Sequence, residues 1–146
     1  MEIRHLTEQE LPNTSYLLNE YRKFYEQPSD LKAATGFLKE RLNNKDSIVY
    51  IAMIGDDVVG FVQLYPTFST VNLKVAYILN DLYVLPSARQ KGVAKALINR
   101  CYDFCQEKNA CYITLETSVT NKNAQKLYEA MNMNIEDDVL HYVKYW

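Results

Sequence analysis

Residues that interrupt regular structure are scarce in this sequence. Of 146 residues, only four are glycine and four are proline. We find no repeat, low-complexity tract or linker-like stretch, so residues 1–146 are expected to form a single domain. Apolar residues make up 48% of the chain and charged residues 23%, which is the usage of a folded globular protein and excludes a disordered chain.

An excess of one charge is also lacking. The 16 basic and 18 acidic residues give a net charge of −2, which favours neither nucleic acid nor an anionic membrane surface as a partner. No apolar run approaches the ~20 residues of a membrane span. The first six residues are too few and too charged for a signal peptide. These absences predict a soluble, cytoplasmic protein.

Residues for metal or covalent chemistry are few. Cys101, Cys105 and Cys111 form no C-x-x-C pair, and His5 and His141 are far apart in the sequence. A metal or redox site on the first two cysteines is possible in principle, but reduced thiols that pack as small apolar groups are the ordinary case. We therefore expect no metal cofactor. Neither a G-x-S-x-G elbow nor a G-x-x-x-x-G-K-S/T phosphate loop is present.

The spacing of apolar residues predicts the order β-α-α-β-β-β-α-β-α-β. This order indicates an α+β sandwich, in which a mixed, mostly antiparallel sheet has helices on both faces. A looser connection is expected from Pro66 to Asn72. The predicted ranges are Glu2–His5, a helix from a capping box at Thr7 to Tyr25, a helix from Leu31 to Leu42 capped by Ser29 or Asp30, Ser47–Ile54, Val58–Tyr65, Lys74–Leu85, Gly92–Lys108, Cys111–Glu116, Asn121–Met131 and Val139–Tyr145.

The most informative segment runs from Leu82 to Lys95. A hydrophobic strand ends at Pro86, and a polar loop then leads through Gly92 into an amphipathic helix. The first amides of such a helix have no intrahelical partner and carry partial positive charge, so the junction can hold a phosphate or pyrophosphate. A loop that simply caps a helix has the same local pattern.

Two motifs carry a resemblance to a known family. Residues 89–94, Arg-Gln-Lys-Gly-Val-Ala, resemble the R/Q-x-x-G-x-G/A acyl-CoA signature of the GCN5-related N-acetyltransferase (GNAT) superfamily. Residues 121–129, Asn-Lys-Asn-Ala-Gln-Lys-Leu-Tyr-Glu, resemble the second signature of that superfamily, N-x-x-A-x-x-L-Y-E. The similarity covers nearly the whole chain. Asn132 and Met133 replace the usual Gly-Phe, and we expect the turn to survive because asparagine tolerates a left-handed backbone.

The resemblance implies that acetyl-CoA is the co-substrate. Backbone amides of the first signature would hold the pyrophosphate, and the strand before it would pair with the pantetheine arm, with one amide polarising the thioester carbonyl. Asn121 would contact the same arm. The implied cofactor-binding residues are Leu82, Tyr83, Val84, Arg89, Gln90, Lys91, Gly92, Val93, Ala94, Lys95 and Asn121.

The resemblance also implies catalytic roles. Tyr128 would lie near the sulfur, where a protonated phenol is suited to act as general acid toward the leaving thiolate. Residues 80–84 are similar to the L-E-D-F-F-V segment of spermidine/spermine and thialysine acetyltransferases, with Asn80 at the position of the candidate base. Asp81 or a water relay is then left as the base, and strand alternation predicts that Asp81 and Asn80 lie on opposite faces.

The acceptor is less defined. Residues 21–25 and 60–70 resemble a subgroup of histone and polyamine acetyltransferases, which implies that Tyr25, Glu26, Tyr65 and Asp81 line the acceptor site. The expected reaction is direct transfer, in a ternary complex, of an acetyl group to a primary amine of a polyamine, a lysine-like amino acid or a lysine-bearing peptide. A non-catalytic acyl-CoA-binding domain is the alternative, because Asn80 cannot act as a base. Homodimerisation through Val139–Tyr145 is also expected.

Overall fold

The computed structural model describes residues 1–146 and has the α+β architecture that the sequence predicted. Two short 3₁₀ turns, Glu8–Glu10 and Pro86–Ala88, precede helices α1 and α3. The chain divides into two compact units, Met1–Glu116 and Thr117–Trp146, which are described in turn. The elements are β1 (Glu2–His5), α1 (Leu11–Phe24), α2 (Leu31–Asn44), β2 (Ile48–Ile54), β3 (Asp57–Ser69), β4 (Lys74–Val84), α3 (Val93–Glu107), β5 (Ile113–Thr114) and α4 (Lys122–Ala130).

The first unit contains a five-stranded mixed sheet with the strand order β1-β2-β3-β4-β5. Strands β1 to β4 are antiparallel neighbours, and β5 is parallel to β4. Strand β3 continues to Ser69, so the loose connection predicted from Pro66 starts later. Since β2 pairs with β3 only as far as Leu64, Pro66 lies on an edge, where a proline is tolerated.

Helices cover both faces of this sheet. Leu17 of α1 and Leu38 of α2 belong to a buried cluster with Ile51 of β2. The neighbouring Tyr50 points to the other face because side chains alternate along a strand. There its ring centroid lies 6.2 Å from that of Phe104 in α3. The sheet is therefore buried between α1 and α2 on one side and α3 on the other.

Local signals set the ends of α1 and α2. Thr7 and Glu10 form the predicted capping box, in which the Thr7 amide donates to Glu10 Oε2 at 3.1 Å. Asp30 caps α2 by accepting a 3.0 Å hydrogen bond from the Ala33 amide. Asn19, buried in α1, accepts from the Asp30 amide at 2.8 Å and donates to Ser29 Oγ at 3.0 Å. These bonds fix α2 against α1.

The second unit contains α4. Asn121 begins the helix by accepting a 3.2 Å hydrogen bond from the Ala124 amide. Asn132 ends it in the left-handed region, with φ 65°. The Met133 amide donates to the Tyr128 carbonyl at 3.0 Å, which is the bond of a Schellman motif. The expectation that this turn survives with asparagine in place of the usual glycine is confirmed.

Two strand predictions need correction. Residues 139–145 have no regular secondary structure, although a final strand was predicted there. Their alternation suits a strand, but a strand also needs a partner for its backbone, and the sheet ends at β5. Strand β5 is two residues long, Ile113–Thr114, because its pairing with β4 stops after two positions. None of the helices combines the length and the apolar character that a membrane span requires.

Candidate functional site

The junction between β4 and α3 has an open, curved backbone. After the 3₁₀ turn, Gln90 adopts φ 62° and Gly92 adopts φ 77°. Gly92 is the N-cap of α3, and no side chain caps the first amides of the helix. Positive φ is least costly for glycine, which explains its presence at this position. Left-handed residues that precede a helix N-terminus direct successive N–H groups into a concavity suited to an anion.

Arg89 holds this loop against the end of β4. Its Nε donates a 3.0 Å hydrogen bond to the Val84 carbonyl. Its guanidinium carbon also lies 5.8 Å from the centroid of the Tyr83 ring. The side chain of Arg89 is thus bound to β4, and the exposed Gln90 and Lys91 project from the loop.

Gly60 lets α3 begin close to the sheet. A Cβ atom at this position in β3 would lie 3.1 Å from the Tyr83 carbonyl oxygen and 3.2 Å from Cγ1 of Val93. Both distances are tighter than ordinary carbon contacts, so a larger residue would require these neighbours to shift. The glycine therefore allows the start of α3 to pack close to β3 and β4.

The second half of β4 is open along one side. Its pairing with β5 is limited to Tyr77 with Ile113 and Ile78 with Thr114. Leu82, Tyr83 and Val84 pair with β3 on their other side. No strand pairs with β4 on the β5 side beyond residue 78. Apart from the Val84 carbonyl, which accepts from Arg89, the backbone groups on that side of residues 82–84 can therefore pair with an extended ligand.

A β-bulge brings Asn80 and Asp81 together. In the pairing of β3 with β4, Gln63 lies opposite Asp81 and Leu64 lies opposite Leu79, so Asn80 is the extra residue. Asn80 Nδ2 donates to Asp81 Oδ2 at 3.0 Å, and both side chains line the same cavity. The prediction that they lie on opposite faces is wrong, because a bulge interrupts strand alternation.

Gln63 organises the polar groups around Asp81. It is 1% exposed, and its Nε2 donates to Asp81 Oδ2 at 2.9 Å and to the Tyr65 hydroxyl at 3.0 Å. Its Oε1 accepts from Ser47 Oγ at 3.1 Å. Both amides that bind Asp81 donate to Oδ2, and Oδ1 accepts from neither. A buried amide with its donors and its acceptor engaged holds the carboxylate in one orientation.

Tyr65 accepts a hydrogen bond within this group and keeps its own phenolic proton. Burial raises the pKa of Tyr65 to about 12, and the neighbouring Asp81 carboxylate also raises it. The phenol is therefore protonated at neutral pH. Since its oxygen accepts from Gln63, its own proton can be donated to another group.

These polar groups form one wall of a cavity of about 280 Å³ between the sheet and the helices α1 and α2. Two alanines of α2, Ala33 and Ala34, and Leu18 of α1 contribute apolar surface. The other lining residues are Arg22, Phe37, Gln63, Tyr65, Asn80 and Asp81. The cavity therefore combines an aromatic and aliphatic wall with a small set of polar groups, as ligand sites do.

The remaining predicted site residues lie elsewhere. Tyr25 and Glu26, at the end of α1, are exposed and do not line the cavity. The Tyr25 ring instead lies 5.0 Å from that of Tyr21. Tyr128 is half-buried in α4 of the second unit, where the Asn121 side chain is engaged as a helix cap.

Sequence reasoning missed Gln63 and Arg22. Gln63 interrupts an apolar run in β3, and a polar residue within a buried strand was the available signal. Arg22 gave no comparable signal, because a charged residue near the end of a helix is usually solvated. Only the packing of α1 and α2 over the sheet brings it to the cavity.

The cysteines lie outside this site. Cys101 and Cys105 are buried in α3. Burial raises the pKa of Cys101 to about 12 and that of Cys105 to about 11, so neither thiol ionises near neutral pH. No three His, Cys, Asp or Glu side chains are grouped so that they could hold a metal ion.

Comparison with known proteins identifies the family. The profile of the acetyltransferase (GNAT) family matches residues 11–133. The uncharacterized N-acetyltransferase YhfO of Bacillus subtilis (strain 168) is 42% identical over 142 residues, which cover 97% of this chain and 95% of YhfO. The crystal structure of a probable acetyltransferase matches with a TM-score of 0.95 and 34% identity, covering 100% of this chain and 98% of that one.

A further solved structure contains a ligand. AAC(6')-Iy, in complex with the bisubstrate analog CoA-S-monomethyl-acetylneamine, matches with a TM-score of 0.83 and 26% identity over 99% of this chain and 98% of that one. The mixed sheet and its helices have the GNAT fold. The chain therefore belongs to the acetyltransferase (GNAT) family, as its two motifs predicted, and is an acyltransferase.

Proposed function

We propose that this protein transfers the acetyl group of acetyl-CoA to a primary amine by direct transfer in a ternary complex. The proposal rests on the fact that the cavity and the open backbone edge lie next to each other along β4. Asn80 and Asp81 line the cavity, and the open backbone edge follows at residues 82–84. An amine in the cavity and a thioester along the edge would meet at the junction of these segments.

Residues of the β4–α3 junction would bind the cofactor. The uncapped amides that follow Gly92 suit the pyrophosphate, and Lys91 adds positive charge beside them. The edge of β4 suits the pantetheine arm, which has amide groups that can pair with a strand. The complex of AAC(6')-Iy with a CoA-containing analog supports this assignment by analogy of fold.

Acetyl transfer needs a base and an acid. The attacking nitrogen forms a bond to the carbonyl carbon, the carbon–sulfur bond breaks, and the amine loses a proton. Asp81 accepts that proton directly or through water, and Tyr128 donates one to the departing thiolate. An amide of residues 82–84 stabilises the oxyanion.

Other expectations from the sequence stay predictions. The likeness to polyamine and histone acetyltransferases names candidate acceptors, and Tyr25 and Glu26 are kept as candidates for contacts with a longer acceptor. Homodimerisation and a cytoplasmic location are likewise predictions. Light scattering at micromolar concentration tests the first of these two.

The function is tested by thiol release. Purified protein is incubated with acetyl-CoA and, in turn, diamines, amino acids, aminoglycosides and basic peptides. We expect amine-dependent release of CoA with at least one class and a mass increase of one acetyl group on that amine. Calorimetry with acetyl-CoA alone measures binding separately.

Two results would contradict the proposal in different ways. Binding of acetyl-CoA without release across the whole panel would favour the non-catalytic alternative. Absence of any binding heat would contradict the assignment of the β4–α3 junction. The junction is also tested by substitution. Gly92→Val should weaken acetyl-CoA binding, because a β-branched residue is strained at φ 77°.

A further inference from the structure

The cavity holds two opposite charges that do not pair with each other. Among its lining residues, only Arg22 of α1 and Asp81 of β4 are charged. The ion pairs of the protein include neither residue. Opposite charges that share a cavity without contact can both be engaged by one ligand that carries the complementary pair.

Arg22 differs from the cations near it. Lys23, the next residue of α1, pairs with Glu20 at 3.0 Å. Arg41 of α2 pairs with Asp46 at 2.9 Å. Arg22 instead donates a 3.2 Å hydrogen bond from Nη1 to the Pro28 carbonyl, a neutral acceptor. That bond holds the guanidinium and leaves most of its donors for an anion.

We propose that the acceptor is a small amine that also carries a carboxylate, and that Arg22 is the residue that selects it. This inference rests on the proposed function. The planar guanidinium binds the carboxylate through paired N–H donors, a geometry that a lysine does not offer. Asp81 and Tyr65, which line the same cavity, would contact the amine.

The shape of the cavity agrees with such an acceptor. Its volume of about 280 Å³ is at or below the lower end of ligand pockets, which are roughly 300 to 1,000 Å³. The Phe37 and Tyr65 rings and two alanines provide surface for a short alkyl chain. A diamine would place its second ammonium near Arg22, and this like-charge contact disfavours polyamines.

The test compares amines of matched length. With acetyl-CoA saturating, thiol release is measured for γ-aminobutyrate, putrescine and butylamine, and for lysine with cadaverine. We expect kcat/KM for the amino carboxylate to exceed that for the matched diamine by about tenfold or more, the effect of a charge-assisted hydrogen bond. The kcat/KM for butylamine should lie between those for γ-aminobutyrate and putrescine.

Three variants separate selection from a structural role. Arg22→Gln should lower kcat/KM for the amino carboxylates by about tenfold while that for butylamine changes less than about twofold. Arg22→Glu should reverse the preference toward the diamine. Lys23→Gln, which removes one charge from the adjacent position, should leave the order of substrates unchanged.

Each result decides the inference. A wild-type preference for diamines, or an equal loss for all three amines in Arg22→Gln, overturns it while the proposed function stands. If no amine releases thiol, the proposed function fails, and calorimetry of γ-aminobutyrate and lysine with the CoA-saturated protein then decides. Binding that Arg22→Gln abolishes supports the inference, and absence of binding overturns it.

Discussion

Helices α3 and α4 each contain part of a family motif, but different forces stabilise them. Helix α3 buries six side chains, whereas α4 buries none. Helix α4 instead has an asparagine cap at its start and a left-handed asparagine after its end. Because tertiary burial stabilises α3, its first amides need no side-chain cap and are free for a ligand. Because α4 buries no side chain, its two asparagine caps contribute a larger share of its stability.

The largest expected effects concern the chemistry assigned to each unit. Asp81→Asn in the first unit and Tyr128→Phe in the second should each lower kcat about 100-fold or more, the usual contribution of a general base or acid. Steady-state thiol release measures both. Asp56→Asn and Tyr142→Phe, which change exposed residues, are the controls. Full activity of folded Tyr128→Phe would confine proton transfer to residues 1–116.

Substitution of one leucine by alanine in α3 and one in α4 measures how much burial stabilises each helix. Leu97 in α3 is fully buried, and Leu127 in α4 is half-buried. Leu97→Ala should lower the free energy of unfolding by about 2–5 kcal/mol, because a buried cavity is left. Leu127→Ala should have a smaller effect, below about 2 kcal/mol. Urea denaturation measures both, and equal losses would contradict the contrast between the helices.

The cap of α4 is expected to have an intermediate effect. Asn121→Ala removes the acceptor of the Ala124 amide and should destabilise the helix by about 1 kcal/mol. Hydrogen exchange of the α4 amides should become faster, with no change in α3. Lys126→Ala, on an exposed position of α4, is the control. Unchanged exchange in Asn121→Ala would leave the asparagine free for the cofactor role.

The smallest effect at neutral pH concerns Tyr50, which is buried under α3. Burial raises the pKa of Tyr50 to about 12, so the folded state disfavours the phenolate. Below pH 10, the ordinary tyrosine pKa, the phenol is protonated in both the folded and the unfolded state. As pH rises from 10 toward 12, only the unfolded state ionises readily, so the folded state loses stability. Tyr50→Phe should therefore unfold less readily than wild type at pH 11.

At pH 7, the same variant should be close to wild type in stability, because the Tyr50 hydroxyl has no hydrogen-bond partner. Tyr145→Phe, at an exposed position, should not alter the alkaline response. Thermal melting across this pH range measures both variants. Equal alkaline sensitivity of Tyr50→Phe and wild type would show that other groups cause the loss.

Much of the fold could be predicted from the sequence, because its signals are local. The capping box at Thr7, the helical spacing of α3 and the left-handed tolerance of Asn132 each depend on residues within a few positions. The bulge at Asn80 could not be predicted in this way. It depends on how β4 pairs with β3. The alternation of apolar and polar residues along β4 does not indicate which residue is unpaired.

By itself the sequence determined the order of the elements as far as α4, the family and the open junction before α3, because periodicity, caps and motifs depend on residues that are close together in the sequence. The tertiary structure decided which polar groups meet. It brought Arg22 of α1, Gln63 of β3 and Asp81 of β4 to one cavity. It also left residues 139–145 without a strand. Contacts between distant segments depend on the packing of the whole sheet, which no local pattern specifies.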